Sequence, residues 1–243
     1  MEAIKCVGKG IIYYLALMGL IISLSLFLFS CEKDNPTISN KIVDFDGNVY
    51  HSVIIGNQEW MVENLMTTHF NDGSDIKLIT DDNEWKSSTV PSYCWYNNII
   101  KLNTDNSALY NFYCVITGKL APYGWHIPSD EEWKELELFI GMSEQEVDQE
   151  FWRGNEAMFL ISRDWIGLPY GQCNQYGFSA LPDGARNGYD AGFPYGAAWW
   201  TSTPYDDQFA WMREINGNDD FKIARWKGIN QCGLTVRCIK NKP

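Results

Sequence analysis

The sequence predicts an α+β fold, and three observations carry that prediction. Two helix-start signatures stand in the middle of the chain, at Ser129 and Ser143. Short β-branched and aromatic runs flank them, separated by Gly, Pro and Asn. No internal repeat of solenoid length is visible, so the pattern reads as two helices amid short antiparallel strands and long loops.

The elements follow in order. Asp46-Gly47 lies between apolar runs and marks a hairpin turn. A strand follows over Val49–Ile55, then a second turn at Gly56-Asn57, then Glu59-Trp60-Met61-Val62. Residues 71–106 are polar, poorly periodic and rich in Asp, Asn and Ser, so they are expected as a long surface loop. Leu109 to Ile116 reads as a strand. Ser129-Asp130-Glu131-Glu132 is a capping box, in which the Ser hydroxyl takes a backbone N–H and Glu132 reaches back. Trp133, Leu136, Phe139 and Ile140 then share one helical face, and Gly141 stops the helix. Pro128 fixes the angle of entry, and Trp125 and Trp133 are expected to pack across that turn. A second capping box, Ser143-Glu144-Gln145-Glu146, is expected to open a helical stretch through about Arg163, broken near Gly154. The C-terminal third reads as strands around 197–202, 208–215, 220–226 and 233–239.

The N-terminus carries a different signal. Lys5 and Lys9 precede a 19-residue uncharged run from Ile11 to Phe29, which ends at Ser30-Cys31. Such a run also suits a membrane-spanning helix. Its abrupt end and the polar Glu32-Lys33-Asp34-Asn35-Pro36 favour a cleaved export signal. Leu28-Phe29-Ser30-Cys31 resembles a bacterial lipobox, which implies acylation of Cys31 and removal of residues 1–30. Several acyl chains anchor a protein stably to a membrane. Residues 31–41 then form a short tether, and residues 42–240 a single domain. Acidic residues after the acylated Cys resemble a surface-export signal. They imply an outer-membrane lipoprotein facing the cell exterior.

Without residues 1–30, which carry Glu2, Lys5 and Lys9, the chain has 17 basic and 30 acidic residues. That balance argues against nucleic-acid binding, which needs a basic face. It also argues against docking of the domain itself on anionic lipid. All eleven Trp lie beyond residue 30. Each can fill a core, and an exposed ring can stack on a sugar. Five cysteines follow Cys31: Cys94, Cys114, Cys173, Cys232 and Cys238. An oxidising compartment would permit disulfides, but an odd number leaves at least one thiol over. No Cys/His spacing suggests zinc, and no cofactor motif is present.

Six ordered blocks resemble one family. They are Asp44-Phe45-Asp46-Gly47-Asn48-Val49-Tyr50, Ile55 to Leu65, Ala121 to Trp133, Gly177 to Pro182, Trp199 to Thr203, and Val236-Arg237-Cys238. Together they are similar to the Fibrobacter succinogenes major paralogous domain (FISUMP), over about residues 42–240. Its members are often lipoproteins or secreted proteins of Bacteroidota. Trp125-His126-Ile127-Pro128 with Glu132-Trp133, and the terminal Val236-Arg237-Cys238, are also similar to formylglycine-generating-enzyme-like proteins. That resemblance implies a C-type-lectin-like fold. Many members of the family carry a Cys similar to Cys94, and Val236-Arg237-Cys238 resembles the site of a structural disulfide, so Cys94–Cys238 is the first expected bridge. A second is expected to join Cys173 to Cys232, leaving Cys114 as a buried strand thiol, although four cysteines alone allow three connectivities.

Three functions remain open. The first is a non-catalytic binding or adhesion module for glycans or a protein partner. Its candidate loops are 71–106, 164–176, 183–198 and 204–220. Trp85, Trp95, Tyr96 and Trp165 are the candidate contact aromatics, with Tyr170, Tyr189, Tyr195 and Tyr205 beside them. Trp95-Tyr96-Asn97-Asn98 is not the sugar motif of calcium-dependent lectins, so that route is not expected. The second is a structural envelope component with no small ligand. The third, implied by the resemblance to formylglycine-generating proteins, is a copper-dependent oxidase, for which Cys232 and Cys238 could be imagined as the thiolate pair. No nucleophile–base constellation is legible, so no catalytic residue is named. Glu63-Asn64 and His126 read as partners of loops and turns. Acidic pairs such as Asp81-Asp82, Asp206-Asp207 and Asp219-Asp220 read as solvated loop residues.

Overall fold

Two tight turns organise the first sheet. β1 (Ser39–Val43) and β2 (Val49–Ile55) pair antiparallel across the Asp46-Gly47 turn. Asp44 closes it, accepting the Asn48 N–H at 2.9 Å and the Tyr50 hydroxyl at 2.6 Å. Gly56-Asn57 then joins β2 to β3 (Gln58–Met61), with Ile55 opposite Gln58. Gly56 has φ +62°, and a Cβ there would stand 2.8 Å from the Phe139 ring. Glycine alone meets both demands.

The computed structural model describes residues 39–99, 107–163, 165, 173–192, 196–215 and 221–242. The export signal, Cys31, most of the tether, Tyr170, Tyr195 and Asp219-Asp220 lie outside the described residues. Among the described residues, no helix is long and apolar enough to cross a membrane.

The remaining strands are β4 (Lys77–Leu78), β5 (Ser92–Trp95), β6 (Ala108–Tyr110), β7 (Trp125–His126), β8 (Phe151–Arg153), β9 (Ala197–Pro204), β10 (Phe209–Ile215), β11 (Ile223–Ile229) and β12 (Ile239–Lys240). The helices are α1 (Asp82–Ser87), α2 (Phe112–Val115), α3 (Asp130–Phe139) and α4 (Glu144–Val147). Among the described residues three sheets form, in the orders β1-β2-β3-β12-β7, β8-β11-β10-β9 and β4-β5-β6. All strand pairs are antiparallel except β4 with β5. The fold is α+β, with more strand than helix.

The four-stranded sheet divides the interior. Side chains alternate between faces along a strand. Trp199, Ile215 and Ile223 point to a core shared with α3. Ala198, Trp200 and Met212 point to a second core with Tyr50, Tyr110 and Phe112. In the first core Trp60, Trp133, Trp199 and Phe178 meet with centroids 5.0–5.8 Å apart. Each ring is fully buried, and each contributes a few kcal/mol or so by leaving water.

Several expectations need correction. Trp133 packs into that aromatic group, whereas Trp125 lies against the other core. The second capping box forms but holds a single turn, because residues 151–153 are drawn into strand pairing with β11. The segment 71–106 is not all loop: Asp81 caps α1, accepting from Asn83 and Glu84, and β4 and β5 pair around it. The expected strand from Leu109 ends at Tyr110, where the Asn111 side chain caps α2. Cys114 is therefore a helical thiol.

The proposed bridges Cys94–Cys238 and Cys173–Cys232 are absent, and no disulfide joins the described cysteines. Cys94 belongs to a small third cluster with Ile79, Trp85 and Leu109, and Cys238 to the core around Tyr50. Burial pushes the Cys94 thiol up to about 12 and raises those of Cys114, Cys232 and Cys238 as well. Such thiols are poor nucleophiles and poor redox partners.

Candidate functional site

The helix-facing side of the four-stranded sheet carries a buried ionic network. Asp130 and Glu137 lie two turns apart on α3, so both point at the sheet. Arg213 and Arg225 are cross-strand partners on β10 and β11, and Arg153 enters from β8. Glu137 Oε1 accepts from Arg213 Nε at 2.7 Å and from Arg153 Nη2 at 2.8 Å, and its Oε2 from Arg153 Nη1 at 3.0 Å. Asp130 accepts from Arg213 Nη1 at 2.7 Å and from Arg225 Nη2 at 2.6 Å. The Arg225 guanidinium lies 3.5 Å over the Trp211 ring. Burial alone would raise the Asp130 carboxyl, but the hydrogen bonds of Arg225 and the charge of Arg213 hold it down at about 2. Every acid here has its cation, which marks the network as structural.

The opposite face holds a contrasting acid. Glu214 follows Arg213 on β10 and points the other way. Its cross-strand neighbours are Ala198 and Ala224, which leave space around it. A cleft of about 130 Å³ opens there, walled by Gly184, Ala185, Ala198, Met212, Cys232 and Leu234. Glu214 makes no hydrogen bond or ion pair among the described residues. Burial raises its carboxyl above the ordinary value. Tyr96 packs at the Gly184 wall, where a Cβ would stand 2.1 Å from the ring.

A second concavity of about 450 Å³ lies over Trp152. Gln149, Asn155, Glu146, Glu156 and Lys222 line it beside the partly buried Trp152. Trp152 meets Trp226 edge-on, with centroids 6.1 Å apart. Gly154 makes the floor possible: its φ is +59°, and a Cβ there would fall 2.0 Å from Glu156 Oε2. Glu146 caps α4 through Ser143, and those hydrogen bonds lower its carboxyl.

The four candidate aromatics separate. Trp85 is 1% exposed and lies under Arg186, whose guanidinium is 4.6 Å from its ring. Trp165 is 4% exposed and belongs to the aromatic core. These two rings are core, not contact surface. Trp95 is half-buried, edge-on to Tyr93, and Tyr96 is half-buried at the cleft wall. Asn64 bonds to side chains, accepting from Trp199 Nε1 and Arg237 Nε and donating to Asp183. His126 bridges Glu132 and Asn241, and the bond to Glu132 raises its pKa. Cys232 lines the cleft while Cys238 is sealed in the core. Among the described residues, no three His, Cys, Asp or Glu side chains are placed to hold a metal ion.

Sequence reading missed Glu214 and Trp152. A signal for Glu214 existed: an acid at the end of the alternating inward series Ala210, Met212, Glu214. For Trp152 the only cue was Gly154, two residues on.

The family described as the Fibrobacter succinogenes major domain matches residues 53–240. No curated protein and no solved structure matches the chain. The matched span includes the core beneath α3, the ionic network, the Glu214 cleft and all of the second core but Ile42 and Tyr50. By that match, the chain belongs to the Fibrobacter succinogenes major domain family.

Proposed function

We propose that this protein is a lipid-anchored, outward-facing component of the bacterial outer membrane that binds surface glycans without catalysis. Its domain is read as C-type-lectin-like. The observation behind this reading is the groove over Trp152. A partly exposed Trp beside amides and carboxylates suits a sugar, whose C–H face can stack on the ring while its hydroxyls find polar partners. The expected contact surface therefore moves from Trp85 and Trp165, which are core, to Trp152. Binding is favoured over hydrolysis on chemical grounds. A glycosidase acid needs a raised pKa, and Glu146 is pushed the other way. An oxidase would need thiolates, and burial keeps Cys232 and Cys238 protonated.

A glycan array probed with the protein, with and without calcium, tests this reading. Retention that falls about tenfold in Trp152→Ala supports it, a loss appropriate to one stacking ring. Retention unchanged by that substitution would place the sugar elsewhere. Silence across the array with folded protein would shift the assignment to a protein partner.

A further inference from the structure

We propose that the Glu214 cleft is a second binding site, and that it takes a primary ammonium group carried on a short apolar stem. The proposal is independent of the Trp152 groove. Its first support is the walls. Ala198, Met212 and Leu234 offer an apolar lining, and the small side chains at 184, 185 and 198 keep it open. A space of about 130 Å³ is close to that which holds a benzene-sized guest, roughly 150 Å³ in an apolar cavity. A stem of four to six carbons is the matching size by the same comparison, roughly.

The second support is the polar inventory. Arg186 lines the cleft but directs its guanidinium away, to the carbonyls of Ile79 and Thr80 and to Asp82. The Asn187 side chain accepts the Tyr189 N–H. Glu214 is left as the one acidic group facing the space, without a hydrogen bond or an ion pair among the described residues. A half-buried carboxylate of this kind lacks a cation, and a ligand ammonium would supply it. The raised Glu214 carboxyl agrees with that deficiency, since a bound cation would draw it back down.

The test is a ligand-detected NMR titration of the full chain at pH 7 with n-butylamine, n-butanol and Nα-acetyl-lysine amide. The amines are expected to bind at least about tenfold more tightly than the alcohol, the effect of one charge-assisted bond. Glu214→Gln is expected to remove that preference. Ala198→Leu, which fills the cleft and leaves the charge, is expected to exclude the stem. Equal binding of the lysine derivative assigns the site to lysine side chains of a partner, and preference for butylamine assigns it to free amines. Butanol binding as well as butylamine, no binding of either amine, or a preference that survives Glu214→Gln would overturn the proposal. Glycan retention should be unchanged in Glu214→Gln, so the two proposals fail separately.

Discussion

On one side of the four-stranded sheet Glu137 and Asp130 each meet two guanidiniums, while on the other side Glu214 meets none among the described residues. Arg213 and Glu214 are consecutive residues of one strand, so the contrast is not a matter of region or of depth in the sequence. It follows from what each face packs against. The helix brings acids to meet three arginines, and the ions lock α3 to the sheet. The other face meets small residues, and its acid is left facing a space. Charges that are matched hold a fold together. A charge left unmatched destabilises the fold.

The largest effect that sharpens this contrast is on the matched face. Glu137→Ala leaves Arg153 without its carboxylate and is expected to cost about 3–5 kcal/mol, measured by chemical denaturation. A loss below about 1 kcal/mol, the worth of a surface pair, would erase the difference between the faces. The next effect is acid sensitivity. Asp130 is held at about 2 in the fold against 3.8 ordinarily, so its contribution is complete above 3.8 and disappears as pH falls towards 2. Thermal unfolding between pH 2 and 5 should show that loss, and Asp130→Asn should flatten it.

The smallest effect has the opposite sign. Burial raises the Glu214 carboxyl above 4.5, so the folded chain holds that proton more tightly than the unfolded one. Stability then falls as pH rises from 4.5 through the folded value. Glu214→Gln removes the fall, and its Tm at pH 7 should exceed that of the wild type by less than either loss above. No gain at pH 7, or a gain that persists at pH 3, would mean that Glu214 is not an unmatched charge.

What was legible in the sequence was what short-range chemistry decides. Asp46-Gly47, Gly56-Asn57 and the Ser129 capping box each form where a turn or a cap requires them. The Ser143 box also forms, yet the helix it opens is stopped by pairing with β11, some seventy residues away. No local signal records that competition. Trp85 and Trp152 look alike as residues, and only the packing of Arg186 on one and of polar groups around the other tells the sealed ring from the partly exposed one. The cysteine bridges failed for the same reason, since Cys94 and Cys238 belong to separate clusters.

The place of β12 has a consequence in time. Ile239 lies between Trp60 and His126, and Cys238 and Val236 accept from the backbone of Met61 and Leu65. Strands made early in synthesis therefore wait for residues 236–239 before their sheet can close. Contacts at such separation slow folding, and β3 keeps an open edge meanwhile. A ribosome that stops before residue 236 releases a chain whose first hairpins have nothing to close against, however well their turns have formed.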